Sequence, residues 1–273
     1  MRFDINLSIL FTELPLLERP AAARAAGFDA VELWWPFGVP VPGDREVDAL
    51  LRALSDAGVR LVGLNFDAGD MAAGERGLLS RPDGSARFCD NIDVVVGIAE
   101  ATGCRVLNAL FGNRVPDLDI HAQEELGVAN LGVAAKAARR CGATVVVEAL
   151  NSYESPEYPI TSTGAALHII DRVREEARVD NVAFLADLYH LARMGEDPFA
   201  VIERHAGRFG HVQIADAPGR GQPGTGEIPY ASVLDALDAS GYPGHVGLEY
   251  RPVGPSADSF AWLQAARRIE ENA

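Results

Sequence analysis

Thr144-Val145-Val146-Val147-Glu148 is a short β-branched run that ends on a carboxylate, and its place in the chain decides the fold. A continuous apolar run of this length reads as a strand buried on both faces, the kind found in parallel sheets. Before it lies Glu124–Cys141, an Ala-rich stretch with helical spacing that stops at Gly142, and after it comes a second such stretch, Thr163–Glu176. The alternation continues outward in both directions. Strand-like runs occur at Phe3–Ser8, Ala30–Leu33, Arg60–Phe66, Arg105–Leu110, Thr144–Glu148, Val182–Asp187, His211–Ala215 and His245–Tyr250. Leu16–Ala26, Val47–Ala57 and Phe88–Thr102 separate the earlier ones, with Gly27, Gly58, Gly103, Gly142 and Gly241 standing where helices should stop. Eight βα units predict a closed (β/α)8 TIM barrel, and 273 residues suit one such domain over 1–273. No Gly-x-Gly-x-x-Gly follows the first strand, which disfavours a dinucleotide-binding sheet.

Composition narrows the partners. Against 39 acidic residues stand 24 basic ones, a net charge of -15 that repels phosphate backbones and anionic lipid, so neither nucleic acid nor a membrane is expected. No run approaches the roughly 20 apolar residues of a membrane span, and the N-terminal run, broken by Asp4 and Glu13, lacks the pattern of a signal peptide. Cys89, Cys104 and Cys141 are too scattered for a disulfide framework or a thiolate zinc site. A cytoplasmic protein acting on a small molecule is the expectation. Self-association into a homo-oligomer through outer helices is compatible with the sequence, which shows no apolar patch to place the contact.

Active sites of such barrels lie at the C-terminal strand ends. Those positions read Glu32, Asn65, Asn108, Glu148, Asp187, Gln213 and Glu249. Polar groups there are costly to bury unless something satisfies them. Glu148, Asp187 and Glu249 fall in the second half of one barrel and would repel one another without a cation; with Gln213 they form an all-oxygen set suited to one divalent metal ion, Mg2+ or Mn2+. Independent helix caps are the competing structural reading. His190, three residues past Asp187, is within reach of a substrate, and the glycine-rich Asp216–Glu227 can bring backbone N–H groups and Arg220 to an anion. Trp34 and Trp35 are candidates to wall the pocket, with packing expected for at least one. Asp67–Ser85, the long connection after the third strand, is a candidate active-site loop with a plain solvated loop as its alternative.

Several segments resemble the hydroxypyruvate isomerase family of the xylose isomerase-like barrels. They are Val147–Asn151, Ala186–His190, Gly210–Asp216, Pro223–Ile228, Gly247–Tyr250 and the loop Gly69–Gly77, in matching order over nearly the whole chain. The resemblance implies isomerisation through a metal-stabilised enediolate, most simply between hydroxypyruvate and tartronate semialdehyde. It assigns Glu148, Asp187, Gln213 and Glu249 as metal ligands, Glu148 and Glu249 also as the catalytic acid–base pair, and His190 and Arg220 as substrate-binding residues. Departures border the pocket and bear on the substrate: Ala149-Leu150-Asn151 stands where Pro-Ile-Asn is common, and Asn65-Phe66-Asp67-Ala68 where Asn-Leu-Pro is usual. A 2-oxo-tetronate isomerase or a ketose 3-epimerase would use the same barrel and metal site. A non-catalytic metabolite-binding barrel would need no metal. The related abasic-site endonucleases would need a histidine-rich site and a cationic face, against which stand six histidines and the acidic charge.

Overall fold

The computed structural model describes residues 1–263, so the last ten positions of the expected domain lie outside the described residues. Eight parallel strands form a closed barrel in sequence order: β1 (Arg2–Asn6), β2 (Ala30–Leu33), β3 (Arg60–Asn65), β4 (Val106–Asn108), β5 (Thr144–Glu148), β6 (Val182–Asp187), β7 (Phe209–Ile214) and β8 (His245–Leu248). The ring shuts where β1 pairs with β8, from Arg2 opposite His245 to Ile5 opposite Leu248. Around it run α1 (Arg19–Ala25), α2 (Asp44–Ala57), α3 (Ser85–Thr102), α4 (Ile120–Ala138), α5 (Thr163–Ala177), α6 (Leu188–Arg193), α7 (Pro198–His205) and α8 (Tyr230–Ala239). No described helix is long and apolar enough to cross a membrane.

The local chemistry explains the boundaries. Val145, Val146 and Val147 are wholly buried, as a strand covered on both faces requires, and each contributes about 1.5–3 kcal/mol of burial. Asp119 caps α4 through Ala122 N–H at 2.8 Å, and Ser162 caps α5 through Ala165 N–H at 3.1 Å. Each of the five expected glycine stops has a positive φ; α5, which has no glycine at its C-terminal stop, ends instead on Arg178 at φ 55. Five strands, β1, β3, β4, β7 and β8, end one or two residues earlier than the sequence suggests, and for β1 and β4 the cause is local. β1 stops at Asn6 because its Oδ1 accepts Ser8 N–H at 2.9 Å and turns the chain outward. β4 stops at Asn108, and Phe111 leaves the barrel ladder to bridge Gly77 of the long loop.

β6 passes into α6 with no linker, and Asp187, its last residue, is also the helix cap: Oδ1 accepts from Tyr189 N–H at 2.9 Å and His190 N–H at 3.4 Å. His190 is therefore returned, one turn later, to the carboxylate that started the helix.

Candidate active site

Glu148 ends β5, Asp187 ends β6, Gln213 lies one residue before the end of β7, and Glu249 follows β8 directly. All four are buried, at 5%, 1%, 2% and 3% exposure. Glu148, Asp187 and Gln213 are each gripped by the protein at one atom, and Glu249 at both carboxylate oxygens. Asn108 Nδ2 donates to Glu148 Oε2 at 2.8 Å, and the α6 N-terminus holds Asp187 Oδ1. Glu32 Oε1 accepts from Gln213 Nε2 at 2.7 Å. Glu249 Oε1 accepts from Asn6 Nδ2 at 2.8 Å and Trp34 Nε1 at 2.6 Å. What is left over is informative: Asp187 Oδ2 and Gln213 Oε1 are buried acceptors with no hydrogen-bond partner among the described residues. Orphaned buried acceptors beside carboxylates are what a cation-binding set leaves when only protein atoms are counted.

Electrostatics point the same way. Burial raises the Glu148 carboxyl well above its ordinary range, and the negative charges of Glu249 and Asp187 raise it further. Burial lifts Glu249 to about 7 and Asp187 to about 6, in both cases against the pull of the Arg220 guanidinium. Packing three carboxyls together without a counter-ion thus forces them toward the neutral form.

Glu148 and Glu249 line a cavity of about 540 Å3; Asp187 lies 3.6 Å from His190 in its wall, and Gln213 3.3 Å from Glu249. His190 faces the cavity and takes a defined role. Its Nδ1 accepts the Asn151 main-chain N–H at 3.0 Å, so in the neutral ring the proton sits on Nε2, 3.6 Å from Asp187 Oδ2. Burial, then Arg220 and Arg76, drive its pKa well below the ordinary value, so the ring stays neutral. Glu148, Asp187 and His190 lie close enough to chelate an ion together. A ring whose Nδ1 is already an acceptor presents an N–H there instead, which suits a substrate oxygen better than a metal.

Arg220 also lines the cavity, but it is ion-paired: Nη2 donates to Glu249 Oε2 at 2.6 Å and Nη1 lies 3.6 Å from Glu154. The glycine-rich loop differs from expectation. Its N–H groups at Gly224, Gly226 and Ile228 all point at the Asp216 carboxylate, at 2.8, 2.8 and 3.0 Å, so the loop satisfies itself and offers those donors to no ligand. Of the two tryptophans, Trp34 lines the cavity and binds Glu249, while Trp35 packs on Phe37 with ring centroids 5.0 Å apart. Asp67–Ser85 is not a plain solvated loop. Met71, Ala72 and Arg76 line the cavity, and Gly77 N–H reaches back to Ala68 O at 2.9 Å.

Beneath the cavity, one interior layer down, lies a second polar group that the strand-end pattern does not single out. His211 Nε2 is 2.7 Å from Glu32 Oε2, with Asp4 beside them. Glu32 is legible in the sequence as a strand-end residue, but its engagement with Asn6, Gln213 and His211 is not. Gly63 and Gly247 leave it room: a Cβ at Gly247 would sit 2.8 Å from Glu32 Oε1 and 3.0 Å from Gln213 Cγ.

Comparison with known proteins agrees with this architecture. Residues 20–266 match the xylose isomerase-like TIM barrel family. A putative hydroxypyruvate isomerase of Streptomyces coelicolor is 56% identical, over 98% of this chain and 97% of its own. A 2-oxo-tetronate isomerase of Pectobacterium atrosepticum is 32% identical, over 96% of this chain and 97% of its own. A crystal structure from Brucella melitensis, described as an AP endonuclease of family 2, superposes with a TM-score of 0.87 at 38% identity, covering 97% of this chain and 98% of that one.

Proposed function

The chain belongs to the xylose isomerase-like TIM barrel family and is an isomerase like its relatives, and from that premise we propose that it interconverts hydroxypyruvate and tartronate semialdehyde with one divalent metal ion, Mg2+ or Mn2+. The observation that carries the proposal is the buried set Glu148, Asp187, Gln213 and Glu249, of which Glu148 and Glu249 line the cavity while Asp187 and Gln213 carry unpartnered buried oxygens. These four residues would hold the ion, through three carboxylates and an amide carbonyl, a donor set that fits a hard cation. Bound there, the ion would offset the negative charge that appears on the substrate oxygens when a carbon-bound proton leaves.

The proton movements fall to the chain itself. In the forward direction a proton leaves C3 of hydroxypyruvate, a proton returns to C2, and the hydroxyl proton passes from the C3 oxygen to the C2 oxygen. Nothing is oxidised or reduced overall and no co-reactant is consumed. Glu148 and Glu249 come from strands on different sides of the cavity, so one carboxylate serves carbon while the other manages the oxygen-bound proton. The neutral His190 Nε2–H donates to a substrate oxygen, and Asn151 keeps that proton in place.

A four-carbon 2-oxo acid is the second reading, favoured by the cavity volume, which leaves room beyond a three-carbon acid, and by the 2-oxo-tetronate isomerase relatives. The test is a solvent-deuterium exchange screen of the metal-loaded protein with hydroxypyruvate, 2-oxo-tetronate and common ketoses. Exchange at carbon is expected with hydroxypyruvate; exchange with a ketose and with neither acid would reject both readings.

A further inference from the structure

A substrate of this class carries a carboxylate, and the two donors expected to meet it are engaged elsewhere. The loop N–H groups at Gly224, Gly226 and Ile228 bind Asp216, and Arg220 is paired with Glu249 and Glu154. Arg251, the outermost cation of the cavity, is exposed and shares Glu154 at 4.0 Å. One guanidinium remains. Arg76 lines the same cavity, takes part in no ion pair among the described residues, and has no partner there for its Nη2.

Resting on the function proposed above, we infer that Arg76, assisted by the Ser155 hydroxyl, is the carboxylate-binding residue of this enzyme and restricts its substrates to small 2-oxo acids over neutral ketoses.

Arg76 is built as a binding group. Its Nη1 donates to Met71 O at 3.0 Å and Glu75 O at 2.7 Å, and its Nε to Ser155 Oγ at 3.2 Å. Those acceptors are uncharged, so they fix the side chain without cancelling its charge. Ser155, 4% exposed and also in the cavity wall, accepts from Arg76 and keeps its own O–H available as a second donor beside Nη2. Two adjacent donors of this kind match the two oxygens of a carboxylate.

The backbone is fixed as well. Arg76 O accepts Gly112 N–H at 3.1 Å, and at Gly77, with φ +110, a Cβ would lie 2.0 Å from Leu110 O. Any other residue there would push the loop off β4 and move Arg76 with it. Glu75, the nearest carboxylate in sequence, is committed to Asp70 N–H at 2.7 Å and to Arg81 at 3.2 Å.

The charges balance on the same assignment. With a divalent ion in place, Glu148, Asp187, Glu249 and Glu154 are outnumbered by one positive charge once Arg76, Arg220 and Arg251 are counted. A monoanion restores neutrality, and a ketose does not.

The test compares hydroxypyruvate with dihydroxyacetone, which differs from it only in carrying a hydroxymethyl group in place of the carboxylate. Steady-state rates or deuterium exchange are measured for the metal-loaded protein and for Arg76→Met, Arg76→Lys and Ser155→Ala, with circular dichroism to check folding. Arg76→Met is expected to lower the ratio of kcat/KM for the acid over the ketone on the order of 100-fold, chiefly through KM for the acid. Arg76→Lys should recover part of that ratio and Ser155→Ala should lower it on the order of 10-fold. An unchanged ratio in both Arg76 variants, with the wild type active on the acid, overturns this inference alone. If the wild type processes neither hydroxypyruvate nor 2-oxo-tetronate, the inference falls together with the proposed function.

Discussion

Two groups of buried residues sit one above the other in this barrel, each with two carboxyls and a histidine: Glu148, Asp187 and His190 at the cavity, and Asp4, Glu32 and His211 beneath it. Composition and burial are nearly the same, yet the histidines go opposite ways. Burial pushes both imidazoles toward the neutral form. In the lower group the Glu32 carboxylate, 2.7 Å from His211, overrides burial and raises it to about 9. In the upper group His190 is held at 3.6 and 4.0 Å from its carboxylates and has its Nδ1 occupied by an N–H donor, so burial prevails, helped by two arginines. About an ångström of separation and one backbone donor decide the protonation state. The lower group balances the imidazolium of His211 with the Glu32 carboxylate and stays outside the cavity wall; the upper one has no such ion pair and leaves its carboxyls crowded at the place where ligand chemistry is proposed.

Removing a carboxylate from each group breaks the comparison most directly, because the two should respond with opposite signs. Glu148→Gln is expected to lower turnover by on the order of 10^3-fold or more. The same change should raise the melting temperature of chelator-treated protein, since it relieves desolvation and like-charge repulsion. Glu32→Leu should instead destabilise by about 3–5 kcal/mol, because it strips a buried cationic imidazole of its partner and leaves Asn6 and Gln213 without an acceptor. Activity assays and thermal melts on the two variants check both; a matching loss of stability in each would show that the cavity group is an ordinary structural cluster.

The barrel itself was legible because it is written in period and position. Buried β-branched runs, glycine stops and an acid or amide side chain at most strand ends are local signals, and they put Glu148, Asp187, Gln213 and Glu249 forward. What stayed hidden depends on closure of the ring. Asn6 reaches Glu249 across 243 positions, and Trp34 reaches it across 215, because β1 and β2 come round to meet β8. The Asp216–Glu227 loop misled for a different reason: its glycines promise N–H donors, but whether those face a ligand or the loop's own aspartate is a matter of side-chain direction. The sequence put Arg220 forward for an anion and marked out no role for Arg76; only their partners in the folded chain separate the two.

The pH dependence of stability sharpens the comparison, since the two groups titrate in different windows. Asp187, Glu249 and His211 have raised folded-state pKa values, so the stability each contributes is fully present below its unfolded value and is lost as pH rises through the folded one. His190, whose value is lowered, works the other way below 6.5 and offsets part of the carboxyl decline. For the cavity carboxyls the window runs from about 4 to 7, bounded by ordinary values of 3.8 and 4.5 and by folded values of about 6 for Asp187 and about 7 for Glu249. For His211 it runs from 6.5 to about 9. Chemical denaturation of chelated protein should therefore show two successive declines, each no steeper than about 1.4 kcal/mol per pH unit for a single group. Saturating Mn2+ should abolish the acid-side decline and spare the alkaline one. Loss of both on adding Mn2+ would mean that the ion reaches the lower group.

Asp4 offers the smallest and most discriminating change. It is fully buried, both its oxygens lack a partner among the described residues, and burial followed by the charge of Glu32 holds its carboxyl well above the ordinary range. A carboxyl kept neutral at pH 7 differs from an amide by little more than one donor, so Asp4→Asn should change stability by under about 1 kcal/mol at that pH. An ionised Asp4 paired with His211 would respond very differently, losing on the order of 3–5 kcal/mol as one partner of a buried ion pair is removed. Denaturation at pH 7 separates the two outcomes. A small effect leaves Glu32 alone as the counter-charge to His211, which is the arrangement that keeps Gln213 Nε2 bound to Glu32 and its Oε1 free of any protein donor.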